Sequence, residues 1–249
     1  MASELKQRLN WWYRAWRYRL LVERPGVQFV LKNLRPGDVA IDVGAHKGAF
    51  LYWMQHVVGP SGKVIAFEPQ PELAKYLTSV VTASSLSHVT VINAALSQQP
   101  GVMTLTREGS LPSPGARLSQ EPERDEAIAG HVSFAVRVEA LDRCLAKANR
   151  PVRLFKCDVE GHELEVFRGA RRILEEDRPM LLFECERRHH RGASIEPVFE
   201  FLHRIGYTGL YLDRHRTHSL ASFRPELQND PESPEYVNNF AFYPRRRAA

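Results

Sequence analysis

The sequence is poor in cysteine and has no long hydrophobic run. Its three cysteines, Cys144, Cys157 and Cys185, are an odd number without metal-type spacing, which favours buried thiols over a disulfide framework. Apolar runs stay far below the ~20 residues that a membrane-spanning helix needs. The N-terminus is charged and aromatic and lacks a small-residue cleavage site, so we expect no secretory signal and a cytoplasmic protein.

A strong charge across the whole chain is also missing, because the net charge of +5 comes from two short segments of the 249 residues. Residues 4–24 carry a local charge of about +4 and Arg245–Arg247 add about +3, so the remainder is slightly acidic. A general nucleic-acid surface is therefore not predicted. The length and the 43% apolar content suit one α/β domain with a substantial core.

Two common phosphate-binding motifs are absent from the first glycine turn. Val39–Val43 is an apolar, β-branched run typical of a buried strand, and apolar residues recur at helical spacing after Gly48. The turn between them reads Gly-Ala-His-Lys-Gly, which matches neither the G-x-G-x-x-G of dinucleotide folds nor a Walker loop. Strand, turn and helix still predict the first unit of a nucleotide-binding fold, in which Gly44 lets the backbone approach a ligand.

Acidic residues mark the ends of the first two predicted strands. Asp42 would repel a pyrophosphate but suits a ligand with cationic groups and hydroxyls, such as S-adenosylmethionine; alternatively it caps the following turn. Glu68 ends the strand that begins at Lys63 and lies 20 residues after Gly48. A carboxylate in that position usually accepts hydrogen bonds from the ribose hydroxyls of a nucleoside. The alternative role for Glu68 is to cap the next helix.

Two later predicted strands also end in polar residues. Asn93 and Ala94 follow the third strand, where a polar group can bond the edge of an adenine and a small residue leaves room for its ring. Asp158 ends a fourth strand. Because open α/β sheets bind ligands at the carboxyl ends of their strands, we expect these groups to share one rim with Asp42 and Glu68.

The turn after Asp158 supplies the candidates for proton transfer. His162 is the preferred general base because imidazole titrates near neutral pH, and Glu160 and Glu163 are the alternatives. A surface histidine at a helix start is an equally favoured interpretation of His162. Asp158, Glu160 and Glu184 could also collect Mg²⁺, which prefers oxygen ligands, but no residue is assigned to a metal site.

The chain divides into an N-terminal segment, residues 1–25, and one domain, residues 26–249. The segment is predicted to be a basic, aromatic helix that ends at Pro25-Gly26. We favour a helix that packs on the domain as a lid or a chain interface over one that lies weakly on a membrane surface. Residues 107–131 are rich in Pro, Gly, Ser and charge, which predicts a substrate-lid loop, with a solvated connector nearly as favoured.

Three minor elements complete the prediction. Val102–Thr106 is expected to be an edge strand. Residues 207–213 and 236–243 are expected to pair as antiparallel strands at one edge of the sheet. His189 and His190 are interpreted as a solvated pair in a loop, in preference to a metal site.

Taken together, these stretches resemble the FkbM-type methyltransferases, a family of S-adenosylmethionine-dependent enzymes. The matching segments run in order through the chain: Ile41–Ala45, Ala66–Pro69, Asn93–Ser97, Val138–Asp142, Phe155–Glu163, Gly169–Ala170, Phe183–Glu184 and Asn239–Phe240. The Asp-Val-Glu-Gly-x-Glu stretch, followed by Gly-Ala and by a later strand ending in Glu, is the most specific of them. The first 25 residues and the 107–131 loop lie outside the resemblance.

The resemblance implies a Rossmann-like class I methyltransferase fold. This is an α/β domain with a seven-stranded, mostly parallel sheet, helices on both faces and an antiparallel edge strand. The resemblance also implies O-methylation of a sugar, glycolipid or secondary metabolite, and hence a small-molecule or glycan acceptor. A non-catalytic cofactor-binding or scaffold protein and, less favoured, a nicotinamide-dependent oxidoreductase are the alternatives, and a homo-oligomer is left open.

The resemblance assigns roles to the residues at the strand ends. Asp42 is expected to face the methionine end of the cofactor, Glu68 the ribose and Asn93 with Ala94 the adenine, while Asp158 should lie near the transferred methyl group. The complete predicted cofactor set is Asp42, Gly44, Ala45, His46, Gly48, Glu68, Pro69, Asn93, Ala94 and Asp158. The predicted catalytic set is Asp158, Glu160 and His162.

Overall fold

The computed structural model describes residues 2–120, 130–145, 150–190, 194–214 and 216–246. The strands in these ranges are β1 (Val39–Val43), β2 (Lys63–Phe67), β3 (Val89–Ile92), β4 (Ala95–Leu96), β5 (Gly101–Glu108), β6 (Arg117–Ser119), β7 (His131–Glu139), β8 (Val152–Cys157), β9 (Met180–Glu184), β10 (Tyr207–Leu212), β11 (Thr217–Ser219) and β12 (Asn239–Pro244). The α-helices are α1 (Ala2–Arg17), α2 (Arg24–Asn33), α3 (Ala49–Val58), α4 (Pro71–Ala83), α5 (Leu141–Cys144), α6 (Glu163–Arg168), α7 (Arg171–Glu176) and α8 (Glu196–Arg204).

The main sheet has eight strands in the order β11-β10-β12-β9-β8-β1-β2-β3. The strands from β9 to β3 in this order are all parallel, and β12, β10 and β11 pair antiparallel at the other side. The mostly parallel α/β sheet and the antiparallel pairing of the two late strands are confirmed. The expected count of seven is one too low, because the three-residue strand β11 is too short to show a pattern in the sequence.

The central strand β1 is buried along its whole length, and its side chains alternate between two cores. Ile41 and Val43 pack in one core with residues of α6, α7 and α8. Ala40 packs in the other, with residues of α1, α2, α3 and α4. Since successive side chains of a strand point to opposite faces, both faces must be covered by helices, as the apolar run predicted.

A second sheet has four strands in the order β4-β7-β5-β6. β5 pairs antiparallel with both β6 and β7, so Val102–Thr106 lies inside this sheet and the expectation of an edge strand is wrong. The predicted 107–131 loop is also shorter than expected, because β5 runs to Glu108 and β6 interrupts it. Residues 121–129, the remainder of that loop, lie outside the described residues.

The N-terminal segment packs on the domain through one side of α1. Trp11 and Ala15 are buried against α3 and α4, whereas Leu9 and Trp12 are 56% and 49% exposed. A π-helical turn, Tyr18–Val22, follows α1. Pro25-Gly26 does not end a helix, as was expected, but lies in the first turn of α2, where proline is tolerated because that N–H has no intrahelical partner.

Candidate active site

A cavity of about 630 Å³ opens at the carboxyl ends of β1, β2, β8 and β9. This volume is within the usual range for small-molecule sites and is large enough for a nucleoside with a further substituent. We call the strand-end wall of the cavity the floor. The floor includes Gly44, Glu68, Lys156, Asp158, Glu160 and Glu184.

The opposite wall, which we call the cover, comes from two distant segments. Arg14, Tyr18 and Val22 line the cavity from α1 and the π-helical turn, and Glu23 follows them. Residues 113–118, at the tip of the β5–β6 hairpin, line it from the other side. The cavity is therefore enclosed by segments outside the predicted nucleotide-binding unit.

The turn from Gly44 to Gly48 has a left-handed backbone at both glycines. Glycine is required there because a Cβ would clash with neighbouring residues. Gly44 has a φ of 70°, and a Cβ at this position would lie 1.8 Å from the backbone oxygen of Asp158. Gly48 has a φ of 75°, and its carbonyl accepts a 2.6 Å hydrogen bond from Trp11 Nε1. Between them, His46 adopts a φ of 48°, which is uncommon for a non-glycine residue. The close approach that Gly44 permits is to the β8 loop.

Glu68 holds the glycine turn against the start of α4. Its Oε2 accepts a hydrogen bond from the His46 backbone N–H at 2.7 Å, and its Oε1 accepts one from Gln70 N–H at 2.9 Å. Burial raises the pKa of Glu68 to about 7, although these two hydrogen bonds favour the carboxylate. Glu68 thus lies on the floor with its carboxylate fixed in one orientation.

Lys156 is a buried cation that links Asp42 to two floor residues, Asp158 and Gly44, and the sequence analysis gave it no role. Its Nζ lies 3.6 Å from Asp42 Oδ1, 3.3 Å from Asp158 Oδ2 and 3.2 Å from the Gly44 carbonyl oxygen. Burial alone would lower the pKa of Lys156, but the two carboxylates outweigh it and raise that pKa above the ordinary value. The signal in the sequence was a lysine between Phe155 and Cys157 in an otherwise apolar strand.

Asp42 is fully buried beneath the floor and does not line the cavity. Neither carboxylate oxygen has a hydrogen bond of ordinary geometry among the described residues, so Lys156 is its charge partner. Burial raises the pKa of Asp42, and the Lys156 cation opposes this rise. Asp42 therefore does not reach the cavity, and its expected role toward the methionine end of a cofactor stays a prediction.

Glu160 and His189 form a pair at the side of the floor. Glu160 Oε2 lies 2.8 Å from His189 Nδ1, and both side chains line the cavity. Burial raises the pKa of Glu160, and the contact with His189 opposes the rise. Glu160 also has a left-handed φ of 56°, a conformation that is costly for a non-glycine residue. The pair was missed in the sequence because the two residues lie in different loops.

Glu184 and Glu186 are neighbouring carboxyl groups at the end of β9, and their pKa values shift in opposite directions. Burial, the Asp158 carboxylate and the Glu186 contact raise the pKa of Glu184 well above its ordinary value. Burial would do the same to Glu186, but hydrogen bonds from Glu184, Arg188 and Tyr236 lower its pKa to about 2. Glu184 is therefore the more basic of the two carboxyl groups, and it lines the cavity.

Most of the predicted site residues line the cavity, and four do not: Asp42, Gly48, Asn93 and His162. The predicted residues that line the cavity are Gly44, Ala45, His46, Glu68, Pro69, Ala94, Asp158 and Glu160. Gly48 lies under the turn, and Asn93 instead donates hydrogen bonds to the backbone oxygens of Glu68 and Pro69, at 2.8 and 3.1 Å.

His162 is the predicted residue that the structure places least favourably. It does not line the cavity, and its Nε2 lies 2.9 Å from Ser97 Oγ. Burial lowers its pKa, which favours the neutral imidazole. His162 precedes α6, and its side chain contacts the segment after β4, so the structure does not support a role as general base.

The three acids considered for Mg²⁺ do not form a cation site. Among the described residues, Asp158, Glu160 and Glu184 do not bring one oxygen each within 4.8 Å of one another. Asp158 is instead paired with Lys156, and Glu160 with His189. We therefore assign no Mg²⁺ to the floor.

Arg107 connects the cover to the domain. Its guanidinium donates to both carboxylate oxygens of Glu72, at 2.8 and 3.1 Å, and to Ser110 O at 2.9 Å. It also donates to Gln70 Oε1, which accepts a second hydrogen bond from Ser113 N–H at the hairpin tip. Because Gln70 follows Glu68 closely, this network ties the hairpin to the floor.

Comparison with known proteins places the chain among methyltransferases. Residues 42–208 match the family model described as the methyltransferase FkbM domain. The methyltransferase sdnD of Sordaria araneosa is 28% identical over 164 residues, which are 56% of this chain and 63% of that protein. The hexuronic acid methyltransferase AglP of Haloferax volcanii is 28% identical over 167 residues, 64% of this chain and 62% of that protein.

A solved structure has the same fold. The methyltransferase FkbM of Methylobacillus flagellatus superimposes with a TM-score of 0.54 and 16% identity, over 95% of this chain and 55% of that one. At this identity the likeness shows the fold alone. The chain spans less than two thirds of the length of both curated relatives.

Proposed function

The chain belongs to the FkbM methyltransferase family, and we propose that it transfers a methyl group from S-adenosylmethionine to a hydroxyl of a sugar, a glycolipid or a secondary metabolite. The observation that supports this most is the convergence of carboxylates from three strand ends on one enclosed cavity. Glu68 follows β2, Asp158 and Glu160 follow β8, and Glu184 ends β9. An acidic floor suits a ligand that carries a sulfonium, an ammonium and two ribose hydroxyls.

The residues of the floor fit this cofactor by their chemistry. When bound, S-adenosylmethionine supplies a methyl group on a positively charged sulfur. Glu68 is the proposed acceptor for the ribose hydroxyls, and Ala94 leaves space for the adenine. Asp158 and Lys156 are the proposed partners of the methionine end, because a carboxylate and an ammonium together can bind its amino and carboxylate groups.

The Glu160–His189 pair is the proposed general base, in place of His162. The Glu160 carboxylate contacts His189 Nδ1 and so favours the tautomer in which Nε2 is free to accept a proton. His189 Nε2 would take the proton of the acceptor hydroxyl, and the sulfur–methyl bond of the cofactor would break as the methyl ether forms, which leaves S-adenosylhomocysteine. Such a base typically contributes ~10²–10⁴-fold to the rate.

The acceptor is proposed to be rich in hydroxyl groups. The cover residues Arg14, Ser113 and Arg117 line the cavity together with Thr106 of β5 and His131 of β7. These groups can bind the oxygens of a sugar more readily than they can solvate an apolar chain. The name of the relative AglP, a hexuronic acid methyltransferase, agrees in kind with such an acceptor.

The cytoplasm remains the proposed compartment. Cys144, Cys157 and Cys185 are all free thiols, as is usual in a reducing environment. Among the described residues, no helix has the length and apolar character that a membrane crossing requires.

One experiment tests the reaction and its base together. The purified chain is given S-adenosylmethionine and a panel of sugars, glycolipids and polyketides, and S-adenosylhomocysteine is measured. We expect His189→Gln to lower turnover by ~10²-fold or more while the affinity for S-adenosylhomocysteine is unchanged. His162→Gln is the matched control and should keep the wild-type rate. A wild-type rate in His189→Gln removes the proposed base, and preferential binding of NADH would favour an oxidoreductase.

A further inference from the structure

Three metal-ligating side chains meet outside the cavity, behind the loops that follow β8 and β9. Glu163 is the first residue of α6, Cys185 directly follows β9, and His190 ends the short 3₁₀-helix Arg187–His190. Their donor atoms all lie within 4.8 Å of one another. None of the three lines the cavity, and the proposed methyl transfer uses none of them.

The distances within this cluster fit tetrahedral coordination. His190 Nε2 lies 3.1 Å from Glu163 Oε2 and 3.5 Å from Cys185 Sγ, and Cys185 Sγ lies 3.8 Å from Glu163 Oε2. Zinc binds nitrogen and oxygen at about 2.0–2.1 Å and sulfur at about 2.3 Å, so tetrahedral ligands are roughly 3.3–3.6 Å apart. The three observed separations need to change by only about 0.3 Å or less.

The surroundings of the cluster orient one of its ligands. Glu163 Oε1 accepts a 3.0 Å hydrogen bond from Gly161 N–H, which leaves Oε2 for the other two groups. Glu163 and Cys185 are both 1% exposed, and among the described residues the one ion-pair partner of Glu163 is His190. Outer contacts of this kind fix the orientation of metal ligands, and a buried carboxylate needs a compensating cation.

We propose that Glu163, Cys185 and His190 bind a zinc ion through Oε2, Sγ and Nε2, with a water molecule as the fourth ligand. Binding replaces the thiol proton of Cys185, which is released to solvent, and the imidazole binds as the neutral base. A set of one sulfur, one nitrogen and one oxygen ligand favours zinc over Mg²⁺ or Ca²⁺. The sequence hid the site because its ligands are 22 and 5 residues apart on three separate elements.

The bound ion would fix the loop that carries the proposed catalytic pair. A Cβ at Gly161 would lie 2.6 Å from the His189 carbonyl oxygen, so the loops after β8 and β9 already touch. Glu160 and His189 precede Glu163 and His190 in these loops. A zinc ion between Glu163 and His190 would therefore hold Glu160 and His189 in position. The binding of zinc does not depend on the methyl-transfer proposal.

Cobalt is the probe that tests the site, because Co²⁺ bound to a thiolate gives a near-ultraviolet charge-transfer band. The chelator-treated full chain is titrated with Co²⁺ and then with Zn²⁺ in competition. We expect about one Co²⁺ per chain with a thiolate band that Zn²⁺ removes, and a Zn²⁺-dependent rise in Tm. Cys185→Ser should abolish the band, and His190→Gln should weaken Co²⁺ binding at least tenfold.

Two controls keep the result interpretable. Cys144→Ser, which alters the exposed cysteine, should leave the band unchanged. His190→Gln is checked by circular dichroism because His190 is partly exposed and its loss should not unfold the chain. The absence of a thiolate band in the wild type, or an undiminished band in His190→Gln, overturns the proposal and leaves the cluster as a hydrogen-bonded triad.

A second inference concerns the outer face of α1 and is independent of the first. Leu5, Leu9 and Trp12 are 57%, 56% and 49% exposed. At 100° per residue these three positions fall on one stripe of the helix, away from the buried Trp11. An exposed apolar stripe of this kind indicates an interaction surface.

The charges beside this stripe suit an anionic lipid surface. Lys6 and Arg17 flank it on one side and Arg8 on the other, and all three are exposed. Apolar residues on one face with flanking cations are typical of helices that lie in the membrane interface. We infer that α1 docks on anionic lipid through this face.

Vesicle cosedimentation tests this surface. The full chain should bind vesicles of phosphatidylcholine and phosphatidylglycerol, bind pure phosphatidylcholine much less, and lose binding in high salt. Arg8→Gln with Arg17→Gln should weaken partitioning at least tenfold, since each cation near the surface contributes ~1 kcal/mol. Leu111→Ser, at an exposed residue of the hairpin, is the matched control. Equal binding to neutral vesicles, or a concentration-dependent dimer that Leu9→Ser dissociates, overturns the lipid assignment.

Discussion

The floor and the cover of the cavity differ in how the chain builds them. Floor residues lie at the ends of the strands that carry them. In the sequence they are therefore marked locally, by an apolar run that ends in a polar residue. Cover residues come from α1, from the π-helical turn and from the β5–β6 hairpin, and they reach the cavity through packing between distant segments. The floor holds buried, fixed charges, as at Lys156, and the cover holds exposed polar groups at its tip. This contrast suggests that the floor determines cofactor binding and the cover determines acceptor choice.

The largest effect is expected from Lys156→Met, which removes the charge at the centre of the floor. The change leaves Asp42 buried without its cation, and loss of one partner of a buried ion pair costs ~3–5 kcal/mol. Urea unfolding measures this loss. The double variant Asp42→Asn with Lys156→Met should regain much of the stability, and Lys63→Met at an exposed position should have no effect. Wild-type stability of Lys156→Met would mean that Asp42 is neutral in the folded protein.

Glu68→Ala should weaken cofactor binding, and it should also lower stability because the His46 and Gln70 backbone N–H groups lose their acceptor. A carboxylate that accepts from both ribose hydroxyls contributes at least tenfold in affinity, or about 1.4 kcal/mol. Calorimetry with S-adenosylhomocysteine measures the change, and Glu226→Ala on the surface is the control. Unchanged affinity in Glu68→Ala would remove the ribose role and leave Glu68 as a brace for the glycine turn.

Arg107→Met tests the cover and should separate the two walls. Loss of its hydrogen bonds to Glu72 and Ser110 should loosen the hairpin by on the order of 1 kcal/mol, which corresponds to about a fivefold rise in KM for the acceptor. Cofactor affinity should stay within about twofold, and Arg171→Met on α7 should change neither. Equal losses of cofactor and acceptor binding would show that the cover and the floor act as one unit.

The smallest effect is expected from Glu23→Gln and depends on pH. Burial raises the pKa of Glu23 to about 7 in the folded protein, against an ordinary value of 4.5. Folding therefore favours the protonated form of Glu23. The stabilisation that this group gives the folded protein is complete below about pH 4.5 and is lost as the pH rises through about 7. Glu23→Gln should be more stable than the wild type at pH 8 by on the order of 1 kcal/mol, because water in the cavity reduces the ~1.4 kcal/mol per pKa unit. Identical stability of the two proteins from pH 5 to pH 8 would contradict this.

The same contrast explains what could be predicted from the sequence. The α/β class, the parallel strands and the family were predicted correctly, because burial on both sides gives Val39–Val43 and its neighbours a local apolar signature. The short strand β11 and the hairpin strand β6 have three residues each and leave no such signature. Strand pairing between β5 and β6 depends on contacts that residue composition does not report.

The side chains of the site were less accessible to sequence reasoning than the fold. His162 and His189 have equal chemistry, and only the packing of their loops decides that one contacts Ser97 and the other faces the cavity. Lys156 could have been recognised as a charge inside an apolar strand. The roles of Glu68 and Asp158 toward the cofactor stay predictions that the variants above test.

The indole of Trp11 has a practical consequence. Its N–H is bonded to the carbonyl of Gly48, so the ring is attached to the turn beside which a nucleoside would settle. Indole emission depends strongly on the polarity and hydrogen bonding around the ring. Ligand entry that shifts this turn should therefore alter the intrinsic fluorescence of the protein, and Trp11→Phe should remove the signal. The chain thus carries its own optical reporter, which makes occupancy measurable without a label.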